Sequence, residues 1–405
     1  MYADVALLAA FVFVYSAVAG ALERTWFSGP VVFTIFGLLI GPFGLDLLSF
    51  HAERGTLKTL AELALALILF TDAADADVRI LRRTSRLPLR LLLIGLPLTI
   101  LLGFGVGVAL VGQLSLLELA IVATMLAPTD AALGQAVVAN EAVPDDVRQA
   151  LNVESGLNDG ICVPILFVFL ALAAGEASDQ ETWQLALTLV AEEIGIGLSV
   201  GLVLTALGIF ILNVAGHRDW QSDIWIQVPV IALALACFAC AEWLGGSGFI
   251  AAFCGGLLFG VLEKGHRQRL LRAGEGSGRV LALITWVIFG SAVVGQAAPY
   301  FSWLSLVYAA LSLTVIRMLS VFLALSGTGV NTEGKLFMGW FGPRGLASVV
   351  FAVIVLDADL PHSGMIAMIV VCTITLSIVA HGLSSEPWSR AFGARTGSDA
   401  SGSGK

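Results

Sequence analysis

The chain has 405 residues, of which 58% are hydrophobic and 13% charged, with a mean hydropathy of +0.93 and a formal net charge of −9. An ordinary soluble domain carries roughly 25% charged residues, so a water-dissolved chain is excluded and no nucleic-acid partner is expected. The apolar runs reach about twenty residues each, enough to cross a hydrocarbon core of roughly 30 Å, and they are too many for one soluble core.

The first run, Val5 to Leu22, has no basic residue before it and no small-residue cleavage site after it, which marks a retained helix rather than a signal peptide. Charged and Pro/Gly-rich breaks divide the chain into about thirteen helices, over 3–23, 29–49, 57–77, 88–112, 116–140, 149–174, 183–213, 224–244, 247–262, 279–297, 301–326, 335–357 and 364–385. Short loops rich in Lys and Arg stay in the cytoplasm. Arg79, Arg82, Arg83, Arg86 and Arg90 follow the third span; Lys264, Arg267, Arg269, Arg272 and Arg279 follow the ninth. Both groups come after an odd number of crossings, so both loops are expected inside. On that count Arg24, Arg148, Arg218, Lys335, Arg390, Arg395 and Lys405 also lie inside, and Arg54 and Lys58 outside. The N-terminus is then outside and the C-terminus cytoplasmic, across the cell inner (plasma) membrane.

Gly37 to Gly41 in the second span reads G-L-L-I-G and Gly256 to Gly260 in the ninth reads G-L-L-F-G. The fifth span is interrupted at A-P-T-D, Ala127 to Asp130, and the twelfth at G-P-R-G, Gly342 to Gly345, at nearly the same offset. The expected architecture is therefore an all-α polytopic membrane protein of two inverted six-helix repeats, with broken helices crossing near the midplane, the pattern of a transporter whose site lies between the breaks. The first repeat occupies 1–182 and holds the ion site, 183–223 is a linker helix and loop, 224–388 is the second repeat, and 389–405 is a short cytoplasmic tail.

An ionisable side chain at the bilayer centre costs a few kcal/mol and needs a partner, a wet cavity or a function. The sixth span opens V-E-S-G-L-N-D-G, Val153 to Gly160. Asp159 is about ten residues in, roughly 15 Å deep at 1.5 Å per residue. Helical spacing aligns Glu154 with Asn158 and Ser155 with Asp159, so two carboxylates, an amide and a hydroxyl share one face. Oxygen donors without His or Cys suit a hard cation rather than a transition metal. Arg317, deep in the eleventh span, needs a carboxylate, and Glu154 is the expected partner. Asp159 is then the unpaired acid and the expected functional one.

Thr129 and Asp130 follow Pro128, where the helix loses backbone hydrogen bonds. Carbonyls freed there can bind a cation, and Asp130 and Arg344 are expected mainly to offset the charges of the half-helix ends. Glu62, Asp72, Glu192, Glu193 and Glu242 lie nearer span ends or on longer helices and are expected to line an interface or funnel. The five cysteines sit in apolar runs as small hydrophobes; Cys237 and Cys240 have C-x-x-C spacing but no company that would make them redox or metal ligands.

Asn158 and Asp159 preceded by Glu154, the T-D of Thr129 and Asp130 in a broken helix, the buried Arg317 and the G-P-R-G around Arg344 together resemble the cation/proton antiporters. The similarity is to the electroneutral branch that includes bacterial NhaP-type proteins and mammalian sodium/hydrogen exchangers, and it extends over nearly the whole chain. It implies that Asp159 binds cation and proton in turn, with Thr129, Ser155 and Glu154 contributing to or bordering the ion site and Asn158 positioned by the Glu154–Arg317 bridge. Asp159, Ser155 and Thr129 are the implied ligands of the monovalent cation, and Asp130, Arg317 and Arg344 support them. Electrogenic relatives carry a second Asp where Asn158 stands. Homodimers are usual in the family. The short tail after the last span and the Pro in G-P-R-G, where some relatives have G-L-R-G, are departures outside the ion site.

One carboxylate that is neutral when loaded with either ion and held back when bare swaps one cation for one proton with no net charge moved. The expected function is thus electroneutral exchange of Na⁺ or Li⁺, or K⁺, for H⁺ by alternating access, with no cofactor and no enzymatic activity. An organic-anion or cation symporter on a similar repeat would want a roomy site with a free cationic group, and a channel would not need the repeat. An intramembrane hydrolase would need paired catalytic groups that the sequence lacks.

Overall fold

A computed structural model of the chain describes residues 2–22, 29–42, 44–47, 54–75, 86–138, 140, 142–176, 182–218, 220, 222, 225, 228–263, 267–358 and 360–402. Among them every regular element is helical. In chain order these are α1 (Tyr2–Leu22), α2 (Gly29–Ile40), α3 (Arg54–Asp75) and α4, which runs from Arg86 through a π turn at Leu91–Gly95 to Leu110. Next come α5a (Leu116–Met125) and α5b (Ala131–Val138), α6 (Asp145–Glu176), α7 (Thr182–His217), α8 (Pro229–Trp243), α9 (Gly248–Leu262) and α10 (Arg267–Ile288, continued by a π turn at Phe289–Val293). The chain then forms α11 (Trp303–Leu311, a π turn at Ser312–Ile316, then Arg317–Ala324), α12a (Thr332–Trp340), α12b (Leu346–Asp357) and α13 (Ser363–Gly402).

Among the described residues five stretches are long and apolar enough to cross a bilayer unaided: Leu87–Leu110, Asp145–Ala174, Val190–His217, Trp303–Ala324 and Ser363–Arg395. Others are shorter than the sequence suggests. The expected span 29–49 stops at Ile40, where the chain turns: Leu45 N–H reaches back to Leu39 O and Asp46 takes a positive φ. Side-chain caps set sharp starts elsewhere. Ser115 and Glu118 form a reciprocal capping box before α5a, and Ser247 and Asn331 cap α9 and α12a. At the other end of the chain, α13 does not stop near 385 but continues through Pro387 to Gly402. Its extension is held by packing, since Phe392 stacks on Phe337 of α12a at 4.4 Å and Arg395 pairs with Glu333 at 2.7 Å.

Helix α3 lies at the centre of the packing and touches α6, α8, α9, α10 and α12b. Its Leu65, Ala66 and Phe70 are wholly buried. By contrast Phe13, Leu101, Val203 and Phe210 are exposed, which in lipid leaves no unfavourable surface because every backbone group is bonded within its helix. Of the basic residues used to orient the chain, Arg24, Arg79, Arg82, Arg83, Lys264 and Lys405 lie outside the described residues.

Candidate functional site

Two helices break, and the breaks meet. Pro128 cannot supply an N–H, so α5 unwinds between Met125 and Ala131; Gly342 and Pro343 do the same for α12 between Trp340 and Leu346. Asp130 N–H donates to Pro343 O at 2.8 Å, which fastens one unwound segment to the other. The Asp130 carboxylate accepts from Leu133 N–H at 3.0 Å and from Leu346 N–H at 2.7 Å, the first turns of α5b and α12b. It therefore sits on the positive ends of two half-helices at once. Arg344 does the converse. It is fully buried, and its Nη1 donates to Ala127 O and to Pro128 O, the carbonyls released at the end of α5a. Backbone carbonyls at a half-helix end serve as its hydrogen-bond partners, and two of the carbonyls that could have faced a cation are taken.

Both glycines of the α12 break are required by close approach. A Cβ on Gly342 would stand 2.5 Å from Arg317 Nε and 3.0 Å from Thr129 Cγ2, and one on Gly345 would overlap the Asp130 carboxylate.

The candidate residues of α6 fall into three groups. Glu154, fully buried, holds Arg317 of α11 in a two-pronged pair at 2.5 and 2.7 Å. Thr129, Ser155 and Asn158 form a second cluster: Asn158 Oδ1 accepts from Thr129 N–H at 3.2 Å, Asn158 Nδ2 donates to Thr129 Oγ1 at 2.7 Å, and the Thr129 and Ser155 hydroxyls lie 2.9 Å apart. Asn158 thus bonds to Thr129, while Arg317 Nη1 and Nη2 bond to Glu154. Asp159 stands apart from both groups. It is buried, and among the described residues its Oδ1 has no hydrogen-bond partner.

Asp159 forms part of the wall of a cavity of ≈ 290 Å³ together with Asp130, and with Asp72 and Asp75 from the end of α3 and Glu275 and Arg279 from the start of α10. Asp72, read from the sequence as a funnel residue, shares this wall and packs against Gly156 of α6. Its importance was hidden because the sequence does not fix the rotation of α3 about its axis. Glu242 instead caps α9 by accepting from Gly248 N–H at 2.8 Å. All five cysteines are free thiols. Among the described residues no group of three or more His, Cys, Asp and Glu side chains could hold a metal ion, so a cation here would rely on one or two carboxylates with hydroxyl, carbonyl or water oxygens.

The sequence missed the polar residues of α13. Ser377, His381 and Ser384 recur at helical spacing, a signal available in the text, and all three bond to α12a or the α12 break.

Comparison with known proteins agrees with this architecture. The fold matches the structure of the sodium proton antiporter MjNhaP1 from Methanocaldococcus jannaschii at pH 8 with a TM-score of 0.74, 20% identity and coverage of 94% of this chain and 98% of that one. The K(+)/H(+) antiporter NhaP of Alkalimonas amylolytica is 24% identical over 363 residues, 89% of this chain and 62% of that protein. The K(+)/H(+) antiporter NhaP2 of Shewanella sp. (strain ANA-3) is 24% identical over 356 residues, 87% of this chain and 61% of that protein. The chain thus spans about three fifths of the length of these relatives. The profile of the family described as "Sodium/hydrogen exchanger, transmembrane" matches residues 7–391. This multi-pass, all-helical chain of NhaP-type fold belongs to the sodium/hydrogen exchanger transmembrane family.

Proposed function

We propose that the chain exchanges a monovalent cation for protons, with Asp159 as the group that carries each in turn. The observation that carries this is the buried Asp159, whose Oδ1 has no hydrogen-bond partner among the described residues and which forms part of the wall of an acid-lined cavity beside the crossing of two broken helices. A buried acceptor left unsatisfied costs about 1–3 kcal/mol, more if charged, and either a bound cation or a proton relieves that cost. Glu154 is committed to Arg317 and Asn158 does not titrate, so one cation replaces one proton and the exchange is electroneutral. Thr129 and Ser155 border the site with hydroxyl oxygens, that of Ser155 one helical turn from Asp159 on α6. Family names point to both Na⁺ and K⁺, and Li⁺ belongs to the same class. Arg317 pairs with Glu154, and both Arg317 and Arg344 are buried, which disfavours an organic anion at this crossing.

The inverted repeats at 1–182 and 224–388, joined by the linker 183–223, supply alternating access in this proposal. Supporting it, Gly37 and Gly41 of α2 press on Val287 and Ser291 of α10, while Gly256 and Gly260 of α9 press on Phe70 and Ala74 of α3. The same offset that relates α2 to α9 relates α3 to α10. The cavity wall includes Asp75, Glu275 and Arg279, which adjoin the arginine-rich segments in sequence, so in the proposed plasma-membrane orientation the cavity lies toward the cytoplasm. The protein works as a homodimer, as its family does.

The test is proton flux in proteoliposomes driven in turn by Na⁺, Li⁺ and K⁺ gradients. Asp159→Asn is expected to abolish flux with every cation while leaving the amount of folded protein unchanged. Cation-dependent proton flux retained in that variant would defeat the mechanism.

A further inference from the structure

Ser377, His381 and Ser384 lie at i, i+4 and i+7 on α13, which places them on one face. Each bonds to the end of α12a or to the break that follows. Ser384 Oγ accepts from Trp340 Nε1 at 2.8 Å, and Ser377 Oγ accepts from Arg344 N–H at 2.7 Å. Between them, His381 is buried and its Nε2 lies 2.8 Å from Trp340 O. Trp340 is the last residue of α12a, and Gly342, which lies against Thr129 and Arg317, is two residues further on.

A carbonyl oxygen only accepts, so the contact to Trp340 O is a hydrogen bond only when Nε2 carries a proton. The other nitrogen has two options. Nδ1 lies 2.8 Å from Ser377 O and 3.1 Å from Ser377 Oγ. As the imidazolium it donates to the carbonyl; as the neutral ring protonated on Nε2 it accepts from the hydroxyl. The Nε2–H bond to Trp340 survives both states, and the neutral ring protonated on Nδ1 is disfavoured because it sets a lone pair against Trp340 O, whereas an unprotonated Nδ1, although also 2.8 Å from Ser377 O, has the Ser377 hydroxyl to accept from.

We propose that His381 is a positioning residue of the exchange site: through Nε2–H it fixes the end of α12a to α13 and so sets where the α12 break meets Thr129, Asp130 and the Glu154–Arg317 pair. The site's function as an exchanger is the premise, but the strut itself has its own readout.

The two amide substitutions separate this role from space filling. The nitrogen of Gln can take the place of Nε2, whereas the nitrogen of Asn takes the place of Nδ1. His381→Gln is expected to keep an apparent cation affinity within about twofold of the parent, while His381→Asn and His381→Ala weaken it by about tenfold or more, the loss of one buried hydrogen bond. Maximal rate and the amount of folded protein should change less than affinity. Ring ¹⁵N NMR of the full-length protein, with His381 assigned by its absence in His381→Gln, should show Nε2 protonated. Equal affinities for the Gln and Asn variants, or a ring protonated only on Nδ1, would overturn the proposal. If the parent protein moves no ions, the exchange function falls instead, and the NMR measurement still decides the strut.

Discussion

The breaks in α5 and α12 look alike in sequence, each a proline beside a charged residue, yet they do different work. The α5 break meets the exchange face: Thr129 is bonded to Ser155 and Asn158 of α6, and Asp130 lies in the cavity wall beside Asp159. The α12 break is sealed. Gly342 and Gly345 are crowded by Arg317, Thr129 and Asp130, Arg344 is fully buried, and Ser377 holds the Arg344 N–H. One break reaches the cavity through Asp130 and the other is the frame it closes on. Each also completes its partner electrostatically, an acid on the N–H ends and an arginine on the carbonyl end.

If α12 is the frame, damage to it should remove folded protein, and the largest effect should come from Gly345→Val. Its side chain would occupy the space of the Asp130 carboxylate, so we expect little or no folded, membrane-inserted protein by fluorescence size-exclusion chromatography. Gly134→Ala on α5b, where the nearest atom to the new Cβ is 3.8 Å away, should accumulate like the parent. Equal yields for both would erase the distinction between the breaks.

A smaller effect is expected where the frame meets α6. Glu154→Gln leaves Arg317 charged and buried, which should cost about 3–5 kcal/mol. Combining it with Arg317→Gln should recover part of this, with a coupling of about 1–3 kcal/mol in a double-mutant cycle of detergent melting. Strictly additive losses would mean that the pair seen at 2.5 Å does not act as one unit.

The smallest effect belongs to the α5 break itself. Asp130→Asn leaves one acceptor oxygen where Leu133 and Leu346 N–H groups each use one, so one helix start goes unsatisfied at a cost of about 1–3 kcal/mol. Melting should register this without loss of yield. A variant as stable as the parent would show that only one of those two bonds matters.

Much of this crossing was legible from the sequence because it depends on local chemistry. Pro128 and Gly342-Pro343 must interrupt their helices, and Arg317 needs an anion that Glu154 can supply. The remainder depends on relations between helices. Nothing in α3 alone says that Asp72 turns toward Asp159, since rotation about a helix axis is set by neighbours. Arg344 reads from the sequence as offsetting a half-helix end, but the sequence does not say which carbonyls of α5 receive it. His381 reads as a stray polar residue until α12a is placed beside α13. The extension of α13 was missed for the opposite reason: Pro387 is a strong local stop signal, overridden by packing of Phe392 on Phe337.

The π turn at Ser312–Ile316 bears on how α11 can change length. Its buried residues recur every four positions, Ala309, Leu313, Arg317 and Val321, whereas an α-helix needs 3.6 and a four-step stripe drifts by about 40° per step. A turn closed over five residues instead of four takes up that surplus just before Arg317. Ser312–Ile316 is therefore the segment of α11 that can lose a single codon and return to ordinary helix with Arg317 still aimed at Glu154. A deletion beyond it, between Arg317 and Ala324, would swing every later side chain by about 100°. The length of this helix is free to vary at one point and locked everywhere below it.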